Sequence, residues 1–469
     1  MQKEYRPSLA VSLIILVFMI LCMSVGVGVF QIPIHMALII VGTVSVVVLM
    51  VSGASWDSIT SAIEQGGKLA WPPLLLLYVI GMMVGIWVAS GTVPFIIYWG
   101  LKLINPSFFL LTVVIISAIV SIATGSSWST AGTVGVAMMG VGAGLDINPA
   151  MTAGAIISGA YMGDKMSPLS DTTNLAPAVA EADLFDHIKA MVYTTTPGFI
   201  ITLIFFTVLG LNHSGEVDSA VLNEMLSALE NNFNLNPITI LPAIIILVFS
   251  IKKVPSLITL VVATLTGAII AMVLQGADIL SIIKIMDSGY VSETGMEDID
   301  VLLTRGGFQS MNWTASLAML GITLGAILEK NGVLGTLLNQ ILKRTSSVGG
   351  LVTATILGTI SLNIITASQY TSIVIGGRMF IPGFKKFNML PQTLSRSLED
   401  SGTITSPLVP WNTCAAYMTG ALGVATGEYM PYAIFCWVVP IISITFAWLN
   451  KFQWKTGDIP SKRVYDTQE

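Results

Sequence analysis

The sequence predicts an all-α polytopic membrane protein made of two inverted-topology repeats, with broken or re-entrant helices meeting at the bilayer midplane. Three observations carry that prediction. Of 469 residues, 54% are hydrophobic and only 10% are charged, and the mean hydropathy is +0.82; a soluble domain carries about 25% charged residues. Ten apolar stretches approach or reach the roughly 20 residues that cross a bilayer: 8–30, 33–53, 72–90, 107–123, 190–211, 237–250, 255–274, 313–328, 349–365 and 431–449. Two polar interruptions also match along the chain. Ser158 and Ser397, Gly163 and Gly402, and Ser167-Pro168-Leu169 and Ser406-Pro407-Leu408 recur at one offset of 239 residues. Paired broken helices in two halves of a chain point to the binding site of a transporter.

The first element follows Lys3 and Arg6 and has no convincing cleavage site, so it reads as a retained helix. Lys and Arg mark the cytoplasmic side. Lys3, Arg6, Lys252, Lys253, Lys343, Arg344, Lys385, Lys386, Lys451 and Lys455 therefore face inward, with Lys462 and Arg463. Both termini are expected in the cytoplasm. Residues 212–236 hold four acids and no Lys or Arg, and read as an extracellular loop. Pro33 then opens its helix outside and Pro255 inside, so equivalent helices cross in opposite senses. The repeat extends to Gly66-Gly67, Trp71, Gly81 and Gly85 against Gly306-Gly307, Trp313, Gly321 and Gly325. The expected organisation is a first repeat over 1–211, the loop 212–236, a second repeat over 237–449 and a frayed polar tail over 450–469.

The first interruption is expected over 163–171, between half-helices 148–162 and 172–182. The second is expected over 401–409, between 389–400 and 410–422. Pro168 cannot donate a backbone hydrogen bond. Unwound backbone at midplane depth is tolerated only when buried in protein or lining a cavity.

Asp164 is the leading site residue. A carboxylate at the bilayer centre costs at least a few kcal/mol by insertion scales, and either a proton or a metal ion removes that charge. Competition between the two would give exchange. The competing reading is a permanent pair with Lys165. Asp171 either joins the site or caps the helix that starts near Thr172. Thr172, Thr173 and Asn174 add oxygens one turn away. In the second half the candidates are Asp400, Thr405, Ser406 and Asn412, with Arg396 set to neutralise Asp400 or Glu399. A second polar cluster contains Ser126, Ser127 and Thr130, matched by Ser368 and Thr371. Each of these hydroxyls could instead serve close helix packing. A small hard cation needs several oxygens, by analogy with calcium and magnesium, and Asp164, Thr172 and Asn174 are the expected Na+ ligands.

Other features read as structural. Cys22, Cys414 and Cys436 show no metal-binding or disulfide spacing. The 23 methionines read as apolar filling. Glu329-Lys330 reads as interfacial. His187 reads as part of a solvated helix start, with pH sensing as the second possibility. The net charge of −5 implies no nucleic-acid partner, and no His-Glu-x-x-His or Gly-x-Ser-x-Gly motif points to an intramembrane enzyme. Asymmetric broken helices disfavour a passive channel.

The run Gly-Asp-Lys-Met-Ser-Pro-Leu-Ser-Asp-Thr-Thr-Asn at 163–174, with Thr-Gly-Ser-Ser-Trp-Ser-Thr at 124–130, closely resembles the NhaC-type sodium/proton antiporter family. The likeness covers nearly the whole chain. It implies Na+ export driven by inward H+ movement across a bacterial plasma membrane, no cofactor, and often a homodimer. It also implies that Asp164, Ser167, Asp171, Thr172 and Asn174 lie at or near the ion path. Some members of the family exchange carboxylates, coupling malate and proton entry to sodium and lactate exit. An exchanger of that malate/lactate type is the alternative reading of this chain.

Overall fold

The computed structural model describes residues 5–27, 29–103, 105–212, 219–252, 254–343, 345–458 and 464–465. Lys3, Lys253, Arg344, Lys462 and Arg463, used above to orient the chain, lie outside them, as does the start of the acidic loop.

Each of the ten apolar stretches folds as helix, and the caps follow the sequence. Helix α1 (Leu9–Leu21) is capped by the Ser8 hydroxyl, which accepts from Val11 N, and runs on as a π-turn to Val27. Pro33 stands immediately before α2 (Ile34–Val51). Ser55 caps α3 (Trp56–Ala89), whose 34 residues include Pro72 and Pro73. Next come α4 (Thr92–Leu103), α5 (Phe109–Thr124), α6 (Ser127–Thr130) and, through a π-turn, α7 (Val136–Gly144). Two short helices, α8 (Pro149–Met166) and α9 (Asp171–Ala180), flank the first interruption and lead into α10 (Leu184–Asn212).

The remaining helices are α11 (Ser219–Asn232), α12 (Leu241–Ile251), α13 (Ser256–Leu274), α14 (Ile279–Ser288), α15 (Glu297–Leu303), α16 (Asn312–Lys330), α17 (Val333–Lys343) and α18 (Val348–Thr366). They are followed by α19 (Gln369–Lys386), α20 (Pro391–Leu398), α21 (Thr413–Leu422), α22 (Thr426–Tyr429) and α23 (Ile434–Trp448). Among the described residues, eight helices are long and apolar enough to cross a membrane, or ten if two bent pairs each count as one span. The only β-pairing among them is two single bridges, Tyr290–Arg305 and Met389–Lys455. Helix α11 fills much of the stretch 212–236 that reads as an extracellular loop.

Both interruptions are real, but the first is narrower than expected and the second runs further along the chain. The first is only Ser167–Ser170. Asp164 and Lys165 lie in the last helical turn of α8 rather than in the break. Ser167 is extended (φ −82°, ψ 125°) because a residue before proline is pushed out of the helical region. In the second half the helix continues past α20 as a π-turn over Glu399–Thr403. A 3-10 turn at Ser406–Leu408 and an irregular stretch then lead to α21.

Close packing around the first break depends on α8 and α5. A Cβ at Gly159 would stand 2.3 Å from Val114 O, and one at Gly163 would stand 2.4 Å from Ala118 O. This glycine pair four residues apart lets the two backbones touch, as small residues do between membrane helices. Gly325 plays the same part for α16, since its Cβ would stand 2.4 Å from Thr366 Cα.

The tail is not frayed up to its last described residues. Leu390 N donates to Trp454 O (2.9 Å), Thr456 N donates to Asn388 O (2.9 Å), and Tyr193 stacks on Phe452 at 4.3 Å. Three aromatic residues, Phe452, Trp454 and Tyr465, give this otherwise polar segment something to bury.

The acidic stretch 284–301 forms a built loop. The Asp300 carboxylate accepts from Thr294 N (2.6 Å), Thr294 Oγ1 (2.7 Å), Ser292 Oγ (2.8 Å) and Gly295 N (3.2 Å). These donors, led by the Thr294 backbone, hold Asp300 below the usual carboxylate range. A depressed folded-state value stabilises the loop above the unfolded value of about 3.9 and loses that contribution as pH falls through the folded value. Amide-exchange protection at Thr294 and Gly295 is therefore expected to fall on acidification below pH ~4. Asp300→Asn should lack that transition, and an identical acid profile in the variant would contradict the assignment.

Candidate functional site

Two matching chain turns bring the site together. Helix α5 ends on Gly125 in the left-handed region (φ 69°), and the Ser126 hydroxyl then caps α6 by accepting from Ser129 N (3.1 Å). Helix α18 ends on Ala367 (φ 54°), and the Ser368 hydroxyl caps α19 by accepting from Thr371 N (3.3 Å). A non-glycine residue in that region costs roughly 1 kcal/mol, so tertiary packing holds Ala367 there. Each turn places a helix N-terminus and its hydroxyls inside the protein.

Asp164 meets the first of these N-termini. Its Oδ2 accepts from Ser127 N (3.0 Å) and Ser127 Oγ (2.6 Å). The start of a helix favours negative charge, which accounts for a carboxylate only 6% exposed without a cationic partner. The other oxygen makes no hydrogen bond of standard geometry to a described residue, although the Ser170 hydroxyl lies beside the carboxylate. The carboxylate lines a cavity of about 340 Å³ enclosed by the two chain turns, the first break, and helices α3, α13, α16 and α21.

The cavity lining is acidic and hydroxylated. Asp164, Asp171 and Glu329 supply carboxylates, and no Lys, Arg or His contributes. Ser126, Thr172, Ser368 and Thr371 line it as the sequence suggests, with Ser129, Ser170, Gln369 and Thr413. Trp128 and Tyr417, stacked at 4.2 Å, form an aromatic wall with Tyr370. Leu69, Pro72, Pro73, Leu76 and Ile322 form the apolar side.

Ser127→Ala would remove the hydroxyl that orients the Asp164 carboxylate towards the cavity. A hydrogen bond to a charged group contributes ~1.5–3 kcal/mol, so a cation held at Asp164 should bind about tenfold or more weakly in calorimetric titration of the purified protein. Unchanged affinity would show that the backbone donor suffices.

Other expected site residues hold the breaks in shape and do not line the cavity. Ser167 Oγ donates to Ile122 O (2.7 Å), and Thr173 Oγ1 donates to Asp164 O (3.1 Å) and Lys165 O (3.0 Å). Thr173 thus serves carbonyls that the end of α8 leaves free. The Asn174 amide nitrogen donates to Pro168 O (2.9 Å) and Ser170 O (2.7 Å), so this side chain braces the break, and it is not part of the cavity lining. Ser170, not Asp171, caps α9, accepting from Thr173 N (3.3 Å). Thr130 Oγ1 donates back to Ser126 O (3.0 Å).

In the second half, Thr405 Oγ1 donates to Ser401 O (2.6 Å) and accepts from the Asn363 amide (3.1 Å). Ser406 Oγ donates to Thr403 O (2.7 Å) and Gln369 Oε1 (3.2 Å). Asn412 caps α21 through Cys414 N (3.0 Å).

Asp400 is the largest departure from the sequence reading. It forms a buried salt bridge with Lys165, accepts from Thr194 Oγ1 (3.0 Å) and faces Arg396 Nε at 3.8 Å. All three charged side chains are fully buried. Asp400 is therefore already neutralised and does not line the cavity. Lys165 joins the second break instead of pairing with Asp164. Arg396 donates from NH1 to Phe452 O (2.8 Å) and lies over the Trp454 ring at 5.4 Å, which ties the tail to this cluster. Glu399 is buried beside it, next to the Thr172 and Thr403 hydroxyls, with no hydrogen bond of standard geometry.

His187 is also not solvated. It is fully buried, with Nδ1 2.8 Å from Ser395 Oγ. Glu329, read from the sequence as interfacial, reaches the cavity because α16 packs its glycine face on the second turn.

Long apolar helices around a buried, carboxylate-lined cavity between two matching chain turns are the arrangement of a membrane transporter, and the relatives are antiporters. The chain belongs to the Na+/H+ antiporter family, whose sequence profile matches residues 159–451. It is 38% identical to the Na+/H+ antiporter NhaC of Alkalihalophilus pseudofirmus, over 98% of this chain and 100% of that one. It is 36% identical to the malate-2H+/Na+-lactate antiporter of Bacillus subtilis, over 97% of each chain. It is also 34% identical to the arginine/ornithine antiporter ArcD of Halobacterium salinarum, over 94% of this chain and 92% of that one.

Proposed function

We propose that this protein exports Na+ in exchange for H+ across a bacterial plasma membrane, with Asp164 holding one or the other in turn. One observation carries the reading. The half-free carboxylate of Asp164 faces a cavity with two further carboxylates and no cationic side chain. Such a lining attracts a small cation and gives a carboxylate substrate no partner. Na+ would take oxygens from Asp164 and Thr172, with cavity hydroxyls and water completing its shell. Its arrival displaces the proton, and the return of a proton releases it.

Alternating access in this reading rests on two inverted repeats, 1–211 and 237–449, with both termini cytoplasmic and the two breaks moving against α3, α13 and α16. The paired turns at Gly125-Ser126 and Ala367-Ser368 support that symmetry. The exposed apolar side chains of α1 and α2, such as Ile14, Val17 and Val47, suit a lipid surface.

A second reading is a Na+- and H+-coupled malate/lactate exchanger, favoured by the 36% identical relative of that name. Proteoliposomes carrying an interior pH dye separate the two. Na+ alone should collapse an imposed proton gradient; a collapse that also requires malate or lactate would overturn the first reading.

A further inference from the structure

A second cavity, of about 490 Å³, lies at the far ends of two helices that line the first. Helix α16 contributes Ile322, Ala326 and Glu329 to the acidic cavity and Trp313 and Thr314 to the second, where Met311 joins them from the turn just before the helix. Helix α21 contributes Thr413 and Tyr417 to one and Thr419 and Gly420 to the other. The charge is reversed between them. Arg305 lines the second cavity, and no Asp or Glu does.

Arg305 is held in place by its backbone. Tyr290 N donates to Arg305 O (3.0 Å) and Arg305 N donates to Tyr290 O (3.1 Å). Gly306 and Gly307 follow with φ of 86° and 88°, and a Cβ at either would stand 2.2 Å from a backbone nitrogen of Gly85 or Gly289. Only glycine fits there, so the loop is a built feature. The side chain, by contrast, is unpartnered. It makes no hydrogen bond or ion pair with any described residue. It reaches the end of α21 near Gly423 without donating to the carbonyls there. Burial alone pulls the guanidinium below its usual range, with no anionic side chain to offset it. A half-buried charge without a partner is costly, and a bound anion would supply one.

The surroundings narrow the class of anion. A guanidinium presents a planar fork of donors that matches a carboxylate in two parallel hydrogen bonds. Ser310, Thr314 and Thr419 add hydroxyls beside it, and Val84, Met311 and Trp313 add apolar surface. That mixture suits a short carbon chain better than a bare inorganic ion.

We propose that the Arg305 cavity is a binding site for a small organic carboxylate, separate from the cation site at Asp164. The inference does not depend on Na+/H+ exchange, because the site can be read at equilibrium without any gradient.

Calorimetric titration of the purified full-length protein in detergent tests it, with succinate and L-lactate as probes and chloride and inorganic phosphate as controls. Saturable binding of at least one carboxylate is expected, with neither control competing at equal concentration. Arg305→Gln should abolish the binding, and Arg305→Lys should weaken it about tenfold, because an ammonium keeps the charge but not the fork. Melting temperature reports that each variant is folded. The proposal fails if neither carboxylate binds the wild-type protein, if the inorganic ions bind equally well, or if folded Arg305→Gln binds as wild type. Where Arg305→Gln does not fold, Arg305→Lys decides: carboxylate affinity equal to wild type in that folded variant overturns the assignment of the site to Arg305.

Discussion

Asp164→Asn is expected to abolish Na+-driven proton movement while leaving the protein folded. The amide nearly matches the carboxylate in size and still accepts from Ser127 N and Ser127 Oγ, so the local hydrogen bonds and the turn at Gly125-Ser126 persist. It carries no charge for Na+ to neutralise and takes up no proton near neutral pH. Among the described lining residues Asp164 is the only buried carboxylate, and removing one partner of a buried charge pair costs about 3–5 kcal/mol, so the exchange rate should drop ~100-fold or more. Asp171 and Glu329 remain in the lining. They would still draw cations into the cavity, but neither stands at the N-terminus of α6. Proteoliposome assays of wild type and variant at matched protein content measure the effect. Exchange at the wild-type rate would move the coupling role to another group.

The second large effect concerns stability. Asp400→Ala leaves Lys165 and Arg396 buried with their shared carboxylate gone. Breaking a buried ion pair from one side costs about 3–5 kcal/mol, because the partner charge stays behind. Here two cations stay behind, so a loss at the upper end of that range, or failure to fold, is expected. Lys165→Met should cost less, because Asp400 keeps Arg396 Nε at 3.8 Å and Thr194 Oγ1 at 3.0 Å. Thermal unfolding in detergent orders the variants as wild type, Lys165→Met and Asp400→Ala, from most to least stable. The reverse order of the two variants would mean that Lys165, not Asp400, is the hub of the cluster. The pair joins the end of α8 to the π-turn of the second half, and so fixes the two breaks against each other.

The parts legible in the sequence are those with local signals. All ten apolar stretches fold as helix, because hydropathy over a 20-residue window depends on near neighbours alone. Pro168 and Pro407 placed both breaks to within a few residues, since a missing N–H acts where it stands. Asp164 was legible as a lone carboxylate in an apolar run. Its partner Ser127 lay in a polar cluster already singled out.

What escaped is long-range. Asp400 resembled a cation ligand because Lys165, its partner, is 235 residues away. A lysine in an apolar run, whose neighbour Asp164 points to a different side of the helix, was a signal that a distant partner existed, and the four-residue spacing of Arg396 and Asp400 was another. Glu329 looked interfacial because no sequence window shows which helices enclose a cavity. Thr173 and Asn174 read as cation ligands because their side chains carry oxygens; their bracing of the break uses the hydroxyl and amide N–H donors instead, on carbonyls that no sequence window shows to be free. The tail looked frayed because its contacts, Phe452 on Tyr193 and Trp454 on Arg396, are aromatic anchors within a polar stretch.

The central claim is that Na+ and H+ compete for one carboxylate. The most direct measurement is the proton release that accompanies Na+ binding to the purified protein, obtained by calorimetry in buffers of different ionisation enthalpy. The account predicts that wild-type protein releases protons as Na+ binds, with Na+ affinity rising with pH, and that Asp164→Asn shows neither effect. Na+ binding without proton release, or equal release in Asp164→Asn, would contradict it.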